Sequence, residues 1–315
     1  VTKLAQALRS NGDMMEHLKI FLKGMAMGAA DVVPGVSGGT IAFITGIYTR
    51  LLDAISSVNL EALKKLRAEG FKSAWAHIDG TFLLALGTGI LTAIISLAKV
   101  IHHLLMTHPV MLWSFFFGLI IASCIHIGRT IPQWRVKEIG MLLLGAVVAA
   151  FISLASPTET AVTLPIVFAA GSIAICAMIL PGISGSFILL LMGLYTPVIA
   201  AIKGFDLPVL LTFAAGAGLG LLLFSRLLSW LLHHYASVVL ALLTGFMVGS
   251  LVKVWPWKET LSTRINSKGE EIPFVQQMAL PVFDETLVAS VILMFAGAIL
   301  VIGLERFGSN NSAEN

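Results

Sequence analysis

The sequence predicts an all-α integral membrane protein built as two inverted-topology repeats, each a re-entrant helical hairpin followed by about three transmembrane helices. Three observations predict it. The 315 residues are 57% hydrophobic and 12% charged, with a mean hydropathy of +0.93, against about 25% charged residues in a soluble domain. Apolar runs of spanning length recur between short polar links. Two apolar stretches are each interrupted midway by a proline-glycine-serine cluster, and these two clusters match.

The clear spans run 81–105, 108–127, 138–155, 208–232, 236–254 and 286–305. The interrupted stretches, 17–56 and 163–203, each hold about 40 residues. That is too long for one crossing of a ~30 Å hydrocarbon core at ~1.5 Å per residue, so each reads as half-helix, polar break, half-helix back. "VPGVSGGTIAFITGIYTRLLDAI" (33–55) laid over "LPGISGSFILLLMGLYTPVIAAI" (180–202) gives ten identities in 23 positions without a gap. Fainter matches continue at a second offset: Gly89 with Gly216, Lys99 with Arg226, Gly118 with Gly245, Ser123 with Ser250. The chain therefore reads as a duplication, 14–156 and 160–306. Three crossings separate the hairpins, so the second copy enters from the opposite face.

Basic residues collect in 1–19, 50–80 and 128–137. The positive-inside rule makes that side cytoplasmic and places both termini there. Residues 57–80 read as an amphipathic surface helix or a solvated connector, and 255–285 as the one sizeable loop on the other side. The net charge of +3 is small and dispersed, which argues against a nucleic-acid partner. Cys124 and Cys176 lie in apolar runs and read as core residues. The histidines have no ligand-spaced partners, and no Walker or hydrolase motif occurs. Metal, cofactor and catalytic residues are therefore expected to be none.

Polar backbone survives in a membrane where it is buried in protein or lines a cavity. Two such breaks at similar depth predict a shared central site. Gly35, Ser37, Gly38, Gly39 and Thr40, with Gly182, Ser184, Gly185 and Ser186, supply free N–H groups, hydroxyls and helix starts, a pattern that attracts phosphate. Gly24 and Gly28 read instead as helix packing. Asp31 is the only carboxylate in its run and has Met178 as its counterpart. It can carry a coupling proton, or cap the turn, or pair with Lys23. Lys23 can contact an anionic head group or snorkel. Lys99 and Arg226, with the histidines that follow them, can be head-group stations at the two mouths or helix-end anchors.

"KGMAMGAADVVPGVSGGTIAFITGIY" (23–48), "WSFFFGLIIAS" (113–123) and "LPGISGSFILLLMGLY" (180–195) resemble the bacterial polyprenyl-phosphate transporter family of the PopT type, formerly a domain-of-unknown-function family. The resemblance covers about 17–306. It implies return of undecaprenyl phosphate, the C55 lipid carrier, from the outer to the inner leaflet of the cytoplasmic membrane for envelope synthesis, with polyprenyl phosphate and membrane lipids as partners. Two other readings stay open. One is an integral-membrane polyprenyl-diphosphate phosphatase, although Gly38 and Gly185 stand where such an enzyme carries its arginine. The other is a secondary transporter of a small soluble anion.

Overall fold

The computed structural model describes residues 2–33, 36–158, 160–265, 271–281, 283 and 285–309. Pro34 and Gly35 lie outside that set. Helix α1 (Thr2–Asp31) ends just before the first polar cluster. A short helix α2 (Gly38–Ile44) follows, and then α3 (Tyr48–Ser56). The second cluster repeats the pattern with α9 (Leu164–Ile179), α10 (Gly185–Leu191) and α11 (Tyr195–Gly204). Each hairpin thus turns twice, where the sequence reading foresaw one break. The second turn needs a glycine: Gly46 has φ 72° and Gly193 has φ 70°, a region costly for any residue with a Cβ. Helices α10 and α11 meet there at 107°.

The match between the copies extends to single hydrogen bonds. Val36 N–H donates to Val33 O and Ile183 N–H to Leu180 O; Ile47 N–H donates to Ala42 O and Leu194 N–H to Leu189 O. In each pair the two bonds are offset by the same number of residues as the aligned sequences.

After the first hairpin come two surface helices, α4 (Leu60–Ala68) and α5 (Phe71–His77). Asn59 caps α4 by accepting from the N–H groups of Glu61 and Ala62. Three long apolar helices follow: α6 (Gly80–Thr107), α7 (Pro109–Thr130) and α8 (Val136–Leu154). The second copy has no counterpart of α4 and α5 and passes straight into α12 (Leu207–Val254). At ~1.5 Å per residue α12 would be roughly 72 Å long, more than twice a bilayer core. It is interrupted at Tyr235 (φ −135°, ψ 40°). His108, between α6 and α7, holds the same conformation (φ −136°, ψ 52°). The interruption therefore divides α12 into the two spans read from the sequence. With Thr286–Gly303 of α13 (Glu285–Ser309), and with α12 counted once, five helices among the described residues are long and apolar enough to cross a membrane, or six if the bent pair α10–α11 counts as one span. This is a multi-pass membrane protein.

The link between α12 and α13 corrects the all-helical expectation locally. Strands β1 (Lys258–Ile265) and β2 (Glu271–Met278) pair antiparallel as a hairpin. Thr260, Thr263 and Ile265 in β1 and Ile272, Phe274 and Val275 in β2 are residue types enriched in strands.

Small residues bring the helices together. A methyl on Gly89 would sit 2.2 Å from Phe21 O in α1, and one on Gly216 would sit 2.0 Å from Phe168 O in α9. The third span of each copy crosses to the other: Gly145 of α8 abuts Leu242 O, and Gly297 of α13 abuts Phe115 O. Helix α3 marks one face of the molecule. Its Arg50 pairs with Asp79, which immediately precedes α6, at 2.6 Å. Its other end receives Arg226, Ser229 and His233 from the first half of α12. Helix α6 therefore leaves the face at which the first half of α12 arrives.

Candidate functional site

The two breaks meet, and the first reaches into the second. Helix α9 ends with carbonyls that have no partner in the next turn. Ser37 Oγ lies 3.1 Å from Met178 O and 3.3 Å from Leu180 O, and Tyr48 donates its hydroxyl to Ile179 O at 3.2 Å. In return, Gly182 N–H donates to Thr40 Oγ1 at 3.0 Å. Gly39 lets the chains touch: a methyl there would lie 2.5 Å from Ile179 O. Ser37, Thr40 and Tyr48 are buried, so these bonds have no water to replace them.

The N–H groups of Gly38 and Gly39 in the first break are already satisfied. Ser37 is extended (φ −118°, ψ 130°) and caps α2 by accepting from Gly39 N–H. Gly38 N–H donates to Asp31 Oδ1 at 2.7 Å. Asp31 thus holds the turn, and a methyl on Gly38 would strike its carboxylate. It makes no pair with Lys23, whose ammonium donates to Thr45 O at 2.8 Å, at the end of α2.

The second break has the same backbone and different chemistry. Ser184 occupies the cap position (φ −101°, ψ 126°), yet its side chain caps no helix N–H. Its Oγ lies 3.0 Å from Ser186 Oγ. Gly182 has φ 84° and abuts Phe246 O and Met247, so it must be glycine. Gly185 packs on Ala174 O. Ser184, Gly182, Ile183 and Phe187 line a small recess with Ala149, Ile152, Ser153 and Lys253. The Lys253 ammonium lies 4.2 Å from the centre of the Phe187 ring, and among the described residues no carboxylate pairs with it. A half-buried cation without a counter-ion is an incomplete site.

Lys253 escaped the sequence reading because it stands at a span end, where lysine ordinarily anchors. Only the fold swings the end of α12 over the second break. Above it, Lys258 donates to Lys253 O at 2.6 Å and lies 4.0 Å from the Trp113 ring centre. Burial, and then the charge of Lys253, pull the Lys258 pKa down to about 7.

The remaining cation drawn from the sequence, Arg226, is elsewhere. Its guanidinium donates to Ser56 O and Val58 O, at the end of α3 remote from the break. Among the described residues no three metal-ligating side chains gather.

Residues 27–272 match the family described as VCA0040-like, undecaprenyl phosphate translocase-like. The chain belongs to that family. It is 52% identical over 303 residues to a polyprenyl-phosphate transporter of Vibrio cholerae serotype O1, covering 94% of this chain and 98% of the relative. It is 36% identical over 253 residues to a polyprenyl-phosphate transporter of Staphylococcus aureus, covering 75% of this chain and 85% of that one. No solved structure matches. The relatives' names indicate a transporter rather than an enzyme, and the family match takes in both breaks and Lys253.

Proposed function

We propose that this translocase-like chain carries undecaprenyl phosphate from the outer to the inner leaflet of the cytoplasmic membrane, returning the carrier for cell-envelope synthesis. The observation that carries the reading is Lys253, a cation with no carboxylate partner among the described residues, on the recess that Ser184 of the Ser184–Ser186 hydroxyl pair also lines. A phosphate monoester supplies the missing charge and accepts from both hydroxyls. Gly182 and Gly185 let the backbone approach it. The isoprenoid tail stays in lipid while the head group enters between helices.

The chain then works as two inverted repeats, 14–156 and 160–306, each opened by a re-entrant hairpin, with both termini cytoplasmic. The opposed directions of α6 and the first half of α12 support this, as do the matched hydrogen bonds of the breaks. The head group passes from the second break toward the first. There the N–H of Gly38 is exposed to it only when Asp31 releases its hold, while that of Gly39 stays with the Ser37 hydroxyl. Moving an anion inward opposes a negative-inside potential by ~2.3 kcal/mol per charge per 100 mV. Protonation of Asp31 weakens its bond to Gly38 and couples the transfer to protons. Lys23 and Arg226 take their place at the edges of this path, holding α2 and α3.

The test is leaflet exchange of undecaprenyl phosphate in liposomes holding the purified chain. Acceleration that disappears in Lys253→Ala is the expected result. No acceleration by the unsubstituted protein removes the transport reading, and release of inorganic phosphate from the diphosphate replaces it with an enzyme.

A further inference from the structure

The face marked by α3 is closed by contacts between α3 and α12 that have no matching seam between α11 and α6 among the described residues. Arg226 Nε and Nη2 reach Ser56 O and Val58 O at 3.4 and 3.1 Å. These carbonyls end a helix, where a cation is favoured by unpaired acceptors and by the helix dipole. Ser229 Oγ bonds Asp53 Oδ1 on the same seam, and His233 Nε2 stands 3.7 Å from Asp53 Oδ2. Residues 226, 229 and 233 share one face of α12 by helical spacing, so the seam joins α3 of the first copy to α12 of the second.

In the repeat, α3 corresponds to α11, the first half of α12 to α6, and Arg226 to Lys99. The mirrored seam would join α11 to α6. No comparable packing exists there among the described residues: α11 lies against α10 and α12. Lys99 is exposed, and no described carboxylate pairs with it. The carbonyls equivalent to those of Ser56 and Val58 belong to Lys203 and Phe205, at the end of α11.

We propose that Arg226 and Lys99 are alternating gate cations: Arg226 caps α3 when the α3 face is shut, and Lys99 caps α11 when the other face is shut. Each is a positioning residue that acts through the hairpin helix it holds, and neither touches the head group. The idea rests on the transporter reading, since a cycle with two closures is what it explains. It also accounts for a basic residue at matched positions in two copies whose other seam residues differ: Asp53 corresponds to Ala200, and Ser229 to His102.

Paired thiols test this in the full chain with Cys124 and Cys176 replaced by alanine. One pair, Asp53→Cys with Ser229→Cys, reports the closure seen here. The other, Ala200→Cys with His102→Cys, reports the mirrored one. A short thiol-to-thiol reagent should trap both, and each trap should stop leaflet exchange. Arg226→Ala should shift the ratio of the two yields toward the mirrored pair by at least about fivefold, the low end of typical coupling between states. Lys99→Ala should shift it the other way, and Arg226→Lys and Lys99→Arg should restore it. Failure of the mirrored pair to form, or alanine shifts of the same sign or of no size, overturns the proposal. Binding of undecaprenyl phosphate to the unsubstituted chain is read alongside. Its absence removes the transport reading while the yield ratio still judges the gate.

Discussion

The first break and the second share a backbone and differ in what their side chains do. At the first, Asp31 and Ser37 satisfy the N–H groups of Gly38 and Gly39, while Ser37 and Tyr48 cap the carbonyls that end α9. At the second, Ser184 and Ser186 bond each other, and Lys253 stands beside the same recess with no carboxylate partner among the described residues. The two frames match in sequence and in their described hydrogen bonds. One carboxylate at the first, and one lysine from a remote helix over the second, make the first a joint and leave the second, in the reading proposed above, to receive the head group. Equal motifs need not be equal sites, because a motif specifies donors and the surroundings decide whether those donors remain available.

Substitutions can break that contrast, and the largest effect is expected at the joint. Gly39→Ala places a methyl 2.5 Å from Ile179 O, a backbone atom that cannot swing away. Overpacking of this kind costs about 1–3 kcal/mol or more, read as a fall in thermal stability in detergent, and a neutral result means the breaks do not touch. Lys253→Ala should next cost about 1.5–3 kcal/mol of head-group affinity, the value of a hydrogen bond to a charged group, with stability nearly kept. Unchanged undecaprenyl-phosphate binding would move the site elsewhere.

The two serines sharpen the comparison. Ser37→Ala should lose about 1–2 kcal/mol of stability through its cap and its carbonyl acceptors. Ser184→Ala should lose roughly 0.5–1.5 kcal/mol of affinity and little stability. Reversed outcomes would exchange the roles assigned to the two breaks. Asp31→Asn keeps an oxygen for Gly38 N–H but cannot ionise. Transport should lose its pH dependence in that variant while the fold is retained, and persistence of the dependence would clear Asp31 of coupling.

The smallest effect concerns Lys258. Its folded pKa, about 7, lies below the usual 10.5, so between those values the unfolded chain binds the extra proton. Stability should therefore rise with pH from about 7 toward 10.5 and should be insensitive to this group below 7. Lys258→Met should flatten that rise in a thermal-melt series, and an unaltered slope would show that Lys258 is not desolvated against Trp113 and Lys253.

Much of the fold was legible because its signals are local. Span lengths, the polar interruptions and the duplicated "PG.SG" pattern depend on residues near one another in the chain, and even the break at Tyr235 fell between two spans read separately. Gly24 and Gly28 read as packing glycines, and they do face Leu86 O and Ile90 O. The second turn at Gly46 and Gly193 was visible as a matched glycine but carried no direction of bend. The site was legible in kind and not in arrangement. Ser37, Thr40, Gly182 and Ser184 are brought together, yet which of them offers hydrogen bonds and which consumes them is set by residues 131 to 143 positions apart.

Sequence by itself determined that this chain crosses a membrane as a set of apolar helices with two matching polar interruptions. Hydrophobicity, helix period and the limits of proline and glycine act over a few residues and are carried by the residues themselves. Tertiary structure alone decided that Ser37 and Tyr48 reach the carbonyls that end α9, that Lys253 overlooks the second interruption, and that Arg226 donates to the carbonyls at the end of α3. A buried polar group takes its meaning from its partners, and at these contacts the partners come from helices distant in sequence.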